Sequence, residues 1–544
     1  MNDERGSAAG AGGEWGRLPS RRRLAPTRPL GRRNRATFDS PAAVQHLRFM
    51  DAQRGIARRM VIGLPAGGFS PAWERDFASY PPAGVLLFRR DFRDLEDLRR
   101  ITKVLRDLAR PRRLFLAIDE EGGHVSQLAP HFVVPPNALL LARGAERDDL
   151  ETVARVTGTR LRALGLDWVF APVADIHSEP RNPVIGPRAF GTTPEQVSEA
   201  LSGILSGFRA AGIASCLKHF PGHGDTALDS HLALPVNALD RDGLERRELA
   251  PFRAHRDADA VMTAHVVYPA FDAARPASRS TAITHDLLRT GLGFEGLCIT
   301  DALEMKGASA DGLFGAACGA LEAGADLLLF AFFDDQLRRV RLELARAIEA
   351  GAIERTHYDA ARPRLEAFAL AHSEPTLEEL GAPLASLTPA DWTERLERIV
   401  DRGLIVRGAA PRALLALPWR VVRFGPEGPT PLGAELEARG LATAERDPGA
   451  PPLADELREL GVRLAEEGAR TTVAVVASRT PLPAGDLDRL RALCRAGPTV
   501  AVGLQNDAFL DEVPEAALRI SAADSTPLTR RVVAKRLAQI GLAP

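Results

Sequence analysis

From residue 60 onward, short runs of apolar, often β-branched residues alternate with longer segments whose apolar positions recur every three to four residues. The short runs are "MVIGLP" (60–65), "GVLLF" (84–88), "RLFLAID" (113–119), "LDWVFAPVADI" (166–176), "GIASCLKHF" (212–220), "AVMTAHVVY" (260–268), "GLCITD" (296–301) and "ADLLLF" (325–330). Between them lie helical patterns such as "LEDLRRITKVLRDLAR" (95–110) and "EQVSEALSGILSGFRAAG" (195–212). Strands that are apolar almost throughout are buried on both faces, which is the signature of a parallel sheet covered by helices. Eight such units within roughly 300 residues predict an α/β fold, specifically a (β/α)8 TIM barrel, which commonly takes about 250 residues and more with insertions. A doubly wound open sheet is the structural alternative, but the first strand–helix turn lacks the G-x-G-x-x-G fingerprint that would favour it.

The pattern also divides the chain. Residues 1–40 are Gly-, Ala- and Arg-rich, with "SRRRLAPTRPLGRRNR" at 20–35, and predict a disordered tail. No apolar run follows those charges, so the segment does not read as a secretory signal. The catalytic barrel is expected over 41–374 and a linker over 375–394. Over 395–544, "TTVAVVAS" (471–478) and "TVAVGLQ" (499–505) alternate with helical patterns and predict a smaller C-terminal α/β domain of packing or accessory role.

Composition narrows the function. Hydrophobic residues make up 45% and charged residues 26%, as in a soluble globular protein. A formal net charge of -1 provides no global field for nucleic acid or an anionic membrane. No stretch of about twenty apolar residues predicts a membrane span. The four cysteines, Cys216, Cys298, Cys318 and Cys494, are scattered without a C-x-x-C pair, and read as reduced residues in a cytoplasmic protein.

The polar residues within this frame are not scattered. Asp119 ends the third run, Asp175 comes near the end of the fourth, Lys218 and His219 lie at the end of the fifth, His265 is late in the sixth, and Asp301 closes the seventh. In a barrel these strand ends converge on one mouth, where catalytic groups sit. Helix capping by aspartate explains one or two of them, but does not favour Lys or His at such places. The densest cluster is "KHFPGHGDTALDSHLALP" (218–235), with three of the chain's 12 histidines. His219 and His223 have the i, i+4 spacing of a zinc-binding helix, but Pro221, Gly222 and Gly224 break that helix, and there is no H-E-x-x-H. A metal-dependent barrel hydrolase is therefore the alternative from another class.

"DSH" (229–231) instead sets a carboxylate two residues from an imidazole. Asp229 can accept from one ring nitrogen of His231, fixing the tautomer, stabilising the imidazolium form and presenting the other nitrogen outward, where it can donate and recover a proton. Asp301, in "ITDALEMKG" (299–307), could attack an anomeric carbon or stabilise an oxocarbenium charge. Asp119, in "AIDEEGG" (117–123), could clamp sugar hydroxyls, and Lys218 and His219 could donate to them. The Pro/Gly loop "RNPVIGPRAFG" (181–191) carries Arg188 and is long enough to cover the mouth.

Together, "KHFPGHGDTALDSH", "ITDALEM", "DEEGG" and "NPVIGPRAFG" resemble the bacterial β-N-acetylhexosaminidases of glycoside hydrolase family 3, in the expected order over roughly residues 50–370. The resemblance implies that Asp301 is the nucleophile, His231 the general acid/base and Asp229 its partner. It implies that Asp119, Arg188, Lys218 and His219 bind an N-acetylglucosamine unit, without metal or cofactor. The implied partner is a small sugar substrate, and the implied activity is a retaining exo-β-N-acetylglucosaminidase acting on cell-wall fragments or chitin oligosaccharides. Within the same class the alternatives are an N-acetylglucosaminide phosphorylase and a β-glucosidase-like hydrolase; a sugar-binding barrel without turnover is a further one. Two departures stand out. Where the family usually continues "EGGRVxR", this chain has "EGGHVSQ", with His124 and Gln127 in the arginine positions; Gln127 remains able to bind a hydroxyl as a neutral group. "AADSTP" (522–527) stands where related chains often carry a tyrosine–glycine pair.

Overall fold

The computed structural model describes residues 41–226, 234–309, 311–408, 419–424, 471–476, 482, 484–505 and 508–542. Each of the eight apolar runs contributes to one parallel sheet: β1 (Met60–Ile62), β2 (Gly84–Leu87), β3 (Phe115–Ile118), β4 (Trp168–Val169), β5 (Leu217–Phe220), β6 (Ala260–Thr263), β7 (Leu297–Ala302) and β8 (Leu327–Phe330). Their order across the sheet is β4-β3-β2-β1-β8-β7-β6-β5. The sheet is curled as a half-barrel, and isolated parallel bridges, Trp168 with Ala214 and Val173 with Lys218, join the segments at its two edges.

A period of two explains why these runs are apolar throughout. Val61, Leu86, Phe115, Ala117, Trp168, Phe170, Ala214, Cys216, Ala260, Met262, Leu297, Ile299, Leu327 and Leu329 form one buried cluster inside the curled sheet. Residues of the opposite parity, among them Met60, Ile62, Val85, Leu116, Ile118, Leu217, Val261, Cys298 and Leu328, belong to a second cluster shared with the covering helices. The interior is plugged at the strands' N-terminal end by Phe368, from helix Arg355–Ala371, whose ring centroid lies 4.9 Å from Phe115 and 5.0 Å from Trp168. Burying a side chain of that size contributes roughly 1.5–3 kcal/mol.

The covering helices begin where local chemistry dictates. Asp94, Thr193 and Asp334 each accept from the backbone N–H three residues ahead, capping helices Leu95–Ala109, Pro194–Ala210 and Asp335–Glu349. Asp119 does not cap. An antiparallel hairpin, Glu120–Gly122 with Val125–Ser126, follows it directly. "DEEGG" is thus a strand-end hairpin, and its glycines make the turn: Gly122 and Gly123 have φ of 86° and 57°.

The segment read as a linker contains helix Leu377–Gly381 and is fastened to the first layer: Arg162 donates to Glu379 at 2.6 and 2.9 Å. Beyond it, β9 (Ile405–Arg407), β10 (Trp419–Phe424), β11 (Thr471–Val476), β12 (Thr499–Gly503) and β13 (Leu518–Ser521) form a second sheet, ordered β9-β13-β12-β11-β10. Only the β9–β13 pair is antiparallel among these described ladders. The tail over 1–40 lies outside the described residues. None of the helices searched among them is long and apolar enough to cross a membrane.

Candidate active site

The interior register of the sheet leads to its polar mouth. In β3, Phe115 and Ala117 face the interior, and Asp119 follows in the same parity; in the β5 segment, Ala214 and Cys216 lead to Lys218. These two side chains meet, with Lys218 Nζ donating to Asp119 Oδ1 at 2.7 Å. In β7, Leu297 and Ile299 lead to Asp301, where the register against β8 shifts between Ile299 and Ala302. Bulges of this kind are common beside active sites because they re-aim a side chain.

A carboxylate not singled out in the sequence completes the cluster. Glu121 lies between two cations: Lys218 Nζ is 2.6 Å from its Oε1, and Arg188 grips it bidentately at 2.8 and 2.9 Å. Arg188 also donates to Val184 O at 2.9 Å. Burial alone would push the Glu121 carboxyl up, but Arg188 and Lys218 outweigh it and hold it well below the usual carboxylate range. Burial likewise works against the charge of Lys218, yet Asp119 and Glu121 hold its ammonium above the ordinary lysine value. The four groups carry two positive and two negative charges. Asp119 is the most exposed, at 22% of its side chain, against 3% for Lys218 and 6% for Glu121.

A second arrangement fixes His219. The fully buried Asp175 accepts from His219 Nδ1 at 2.7 Å and from the backbone N–H of His223 at 2.7 Å. Because a carboxylate only accepts, Nδ1 carries the proton, and Nε2 is the ring's remaining polar atom. Burial raises the Asp175 carboxyl, but His219 and His223 lower it by more. His223 is itself pushed down to about 4 by burial and then by His219, so its ring is neutral at neutral pH. Its Nδ1 pairs with Thr226 Oγ1 at 3.0 Å.

Asn182 clamps the two loops above. Its Nδ2 donates to His223 O, Gly224 O and Thr226 Oγ1 at 2.9, 3.0 and 3.2 Å, while its Oδ1 accepts from the N–H groups of Val184 and Ile185. The "PGHG" glycines are needed here, since a Cβ on Gly224 would come within 1.7 Å of Ile176 O. Behind Asp301, His265 Nε2 donates to Ala302 O at 3.0 Å, which leaves Nδ1 to accept from Ser278 Oγ at 2.8 Å.

The structure therefore brings Asp119, Arg188 and Lys218 into direct or shared contact, with His219 in the adjoining cluster. Gln127 is buried beside the hairpin, its Oε1 accepting from the Arg89 backbone N–H at 2.8 Å. Asp229 and His231 lie outside the described residues. The residues missed were Glu121, Asp175 in its orienting role, and Asn182. A charge count offered one signal: Lys218 and Arg188 with only Asp119 leave a buried cation over, and "DEEGG" holds the missing carboxylate.

An eight-stranded parallel sheet with acid, lysine and histidine groups gathered at its strand ends has the arrangement of an α/β enzyme whose active site lies at the C-terminal ends of its strands. Residues 68–367 match the glycosyl hydrolase family 3 N-terminal domain, and the chain belongs to that family and is a glycoside hydrolase. It is 39% identical over 303 residues to a beta-hexosaminidase of Chromobacterium violaceum, covering 54% of this chain and 84% of the relative. A beta-hexosaminidase of Methylococcus capsulatus is 39% identical over 263 residues, covering 47% and 78%. Among solved structures, a glycoside hydrolase family 3 beta-N-acetylglucosaminidase from Paenibacillus sp. str. FPU-7 superposes with a TM-score of 0.77 at 28% identity, covering 90% of this chain and 96% of that one.

Proposed function

We propose that this chain is a retaining exo-β-N-acetylglucosaminidase that removes terminal N-acetylglucosamine from cell-wall fragments or chitin oligosaccharides. The observation that carries the reading is the Asp119–Lys218 contact at one mouth with Arg188 and Glu121, in a chain whose relatives bear the hexosaminidase name. The same contact supports a closed (β/α)8 barrel. β3 and β5 are six steps apart in the sheet order, which would separate them by roughly 29 Å in an open sheet at about 4.8 Å per strand. A 2.7 Å ion pair between them favours a sheet curled far enough to bring its edges together.

In this reading Asp119, Arg188, Lys218 and His219 hold the terminal sugar by its hydroxyl and acetamido groups. Asp301 attacks the anomeric carbon as His231 gives its proton to the glycosidic oxygen, and the aglycone leaves as an alcohol. Water then attacks the glycosyl–Asp301 ester, His231 takes its proton, and the aspartate departs with configuration retained. Asp229 orients the imidazole and stabilises its charged form. A histidine in place of a second carboxylate adds no negative charge beside the nucleophile.

The test is turnover of an aryl β-N-acetylglucosaminide by Asp301→Asn, together with mass analysis of enzyme treated with a slow-turnover fluorinated donor. Loss of turnover and one glycosyl group on the peptide containing Asp301 are expected. Near wild-type turnover by Asp301→Asn would refute the assignment.

A further inference from the structure

Two stretches that depart from the family pattern, His124 in the hairpin and residues 522–527 in the C-terminal layer, meet at one side chain. Asn137 occupies the N-cap of helix Ala138–Gly144, where an asparagine ordinarily accepts from an N–H of the first turn. Here its side chain makes no such bond. Its Oδ1 instead accepts from the His124 backbone N–H at 3.1 Å and from His124 Nδ1 at 2.7 Å. Its Nδ2 donates to Ala523 O at 3.2 Å, and its backbone N–H donates to Asp524 Oδ1 at 3.1 Å. The amide orientation is consistent at both ends, since a backbone N–H needs the oxygen and a carbonyl needs the nitrogen.

Both sides are built to receive this residue. A Cβ at position 123 would lie 1.8 Å from Asn137 Oδ1, so the approach requires Gly123. Ala523 has φ of 51° and is the one non-glycine among the described residues in the left-handed region, a conformation held where surrounding contacts fix it. Asp524 is fully buried; its Oδ2 accepts from the Thr526 N–H and hydroxyl at 3.1 and 2.5 Å and from the Thr529 hydroxyl. Asn137 is 2% exposed. The helix that follows is gripped as well: a Cβ on Gly144 would meet Ile399 O at 1.9 Å, and Arg143 donates to Ser521 Oγ at 3.1 Å.

We propose that Asn137 is a positioning clasp through which the C-terminal layer sets the hairpin that carries Glu121 and directly follows Asp119 for sugar binding. The proposal rests on the reading of Asp119 as a sugar ligand. It makes the C-terminal layer part of the specificity apparatus, with His124 and Asp524 as the two ends of one connection.

Full-length His124→Ala, Asp524→Ala and the double variant are compared using an aryl β-N-acetylglucosaminide as substrate and N-acetylglucosamine as competitive inhibitor. Loss of a bond to Asn137 predicts a roughly three- to tenfold rise in KM and in the inhibition constant for each single variant, with kcat within about twofold. The double variant is expected to be no worse than the more impaired single one, because His124 acts on the side chain and Asp524 on the backbone N–H of one residue, Asn137. His124→Asn, whose amide can donate to Asn137, should recover most of the loss. Should Asp524→Ala not fold, Asn137→Ala, which removes the carboxamide and its bonds to His124 and to Ala523 O, replaces it in the comparison. Unchanged KM in folded variants, or effects that multiply in the double variant, would overturn the clasp. Asp119→Ala separates the two readings: unchanged KM there refutes the sugar-ligand role, whereas raised KM there with unchanged clasp variants refutes the clasp alone.

Discussion

Glu121→Gln removes one charge and almost no volume, which isolates what the buried carboxylate does. In the native cluster Glu121 faces Lys218 at 2.6 Å and Arg188 at 2.8 and 2.9 Å, while Asp119 shares Lys218 at 2.7 Å. After the change two cations face one carboxylate. Removing one partner of a buried ion pair costs about 3–5 kcal/mol, because the remaining charge is left uncompensated. The glutamine carbonyl still accepts one bond and Asp119 reaches solvent, so the lower end, about 3 kcal/mol, is expected. At about 2–4 °C per kcal/mol for a domain of 150–250 residues, Tm should fall by roughly 6–12 °C, and by the smaller amount for a larger unit. Lys218 also loses a ligand that holds it in place, so KM for an aryl β-N-acetylglucosaminide should rise by about tenfold or more, equivalent to roughly 1.4 kcal/mol.

The pH dependence supplies a second readout. Glu121 has a folded-state pKa below its ordinary value of 4.5. Its ionised form therefore contributes stability in full above about 4.5, and the contribution is lost as pH falls from there toward the folded value. The Tm gap between wild type and Glu121→Gln should be widest at neutral pH and narrow as the buffer is taken below 4.5. Asp119→Asn is the control: with a more exposed carboxylate, it should impair KM with a smaller loss of Tm. A Glu121→Gln enzyme with wild-type Tm and KM at neutral pH would show that the cations do not depend on it.

His231→Ala should lower kcat/KM for glycosides with poor leaving groups far more than for nitrophenyl glycosides, since good leaving groups need little protonation; an equal loss across a leaving-group series would remove it as the acid. Glu304, three residues beyond Asp301, accepts from the Phe332 N–H at 3.2 Å while its buried Oε2 has no hydrogen-bond partner among the described residues, and burial raises it to about 7. The folded chain keeps this proton between about 4.5 and 7, where the unfolded chain releases it, so the group's contribution to stability falls as pH rises through that window. Glu304→Gln should flatten the decline by an amount on the order of 1–3 kcal/mol, read as a smaller Tm difference between pH 5 and pH 8; an unchanged slope would refute it.

The strand inventory was legible because burial on both faces leaves a run apolar whatever its parity. Boundaries were less so. The run 166–176 supplies only Trp168–Val169 as a named strand, because Pro172 has no N–H to offer a ladder; the chain nevertheless stays beside the β5 segment through the Val173–Lys218 bridge and the Ala174 N–H to Lys218 O bond, which sets Asp175 next to His219. The run 260–268 yields β6 and, after His265, the separate strand Val267–Tyr268. Asp119, Lys218 and Asp301 were visible because polar residues ending apolar runs break the pattern in the same place. Glu121 was not: its significance lies in cations from distant segments, and local spacing carries no information about which charges will be buried together. Asn182 was hidden for a related reason, since its side chain acts on backbone groups of another loop.

The same physics explains why the mouth is assembled in pairs. A lysine or arginine fully exposed to a bound sugar would be mobile; buried alone, a lysine would shed its proton and an arginine would carry an uncompensated charge at high cost. Glu121 lets Lys218 and Arg188 be both buried and charged, and leaves Asp119 as the partly exposed member, the one that the proposed function has exchange its share of Lys218 for a hydroxyl. Asp175 does for His219 what Glu121 does for the cations, fixing the ring's orientation without presenting its own charge to the mouth. The carboxylates that position are only 6% and 0% exposed, and the one that reaches outward is 22% exposed. That gradient predicts which substitutions shift stability first and which shift substrate affinity first, and the Glu121→Gln and Asp119→Asn pair measures it directly.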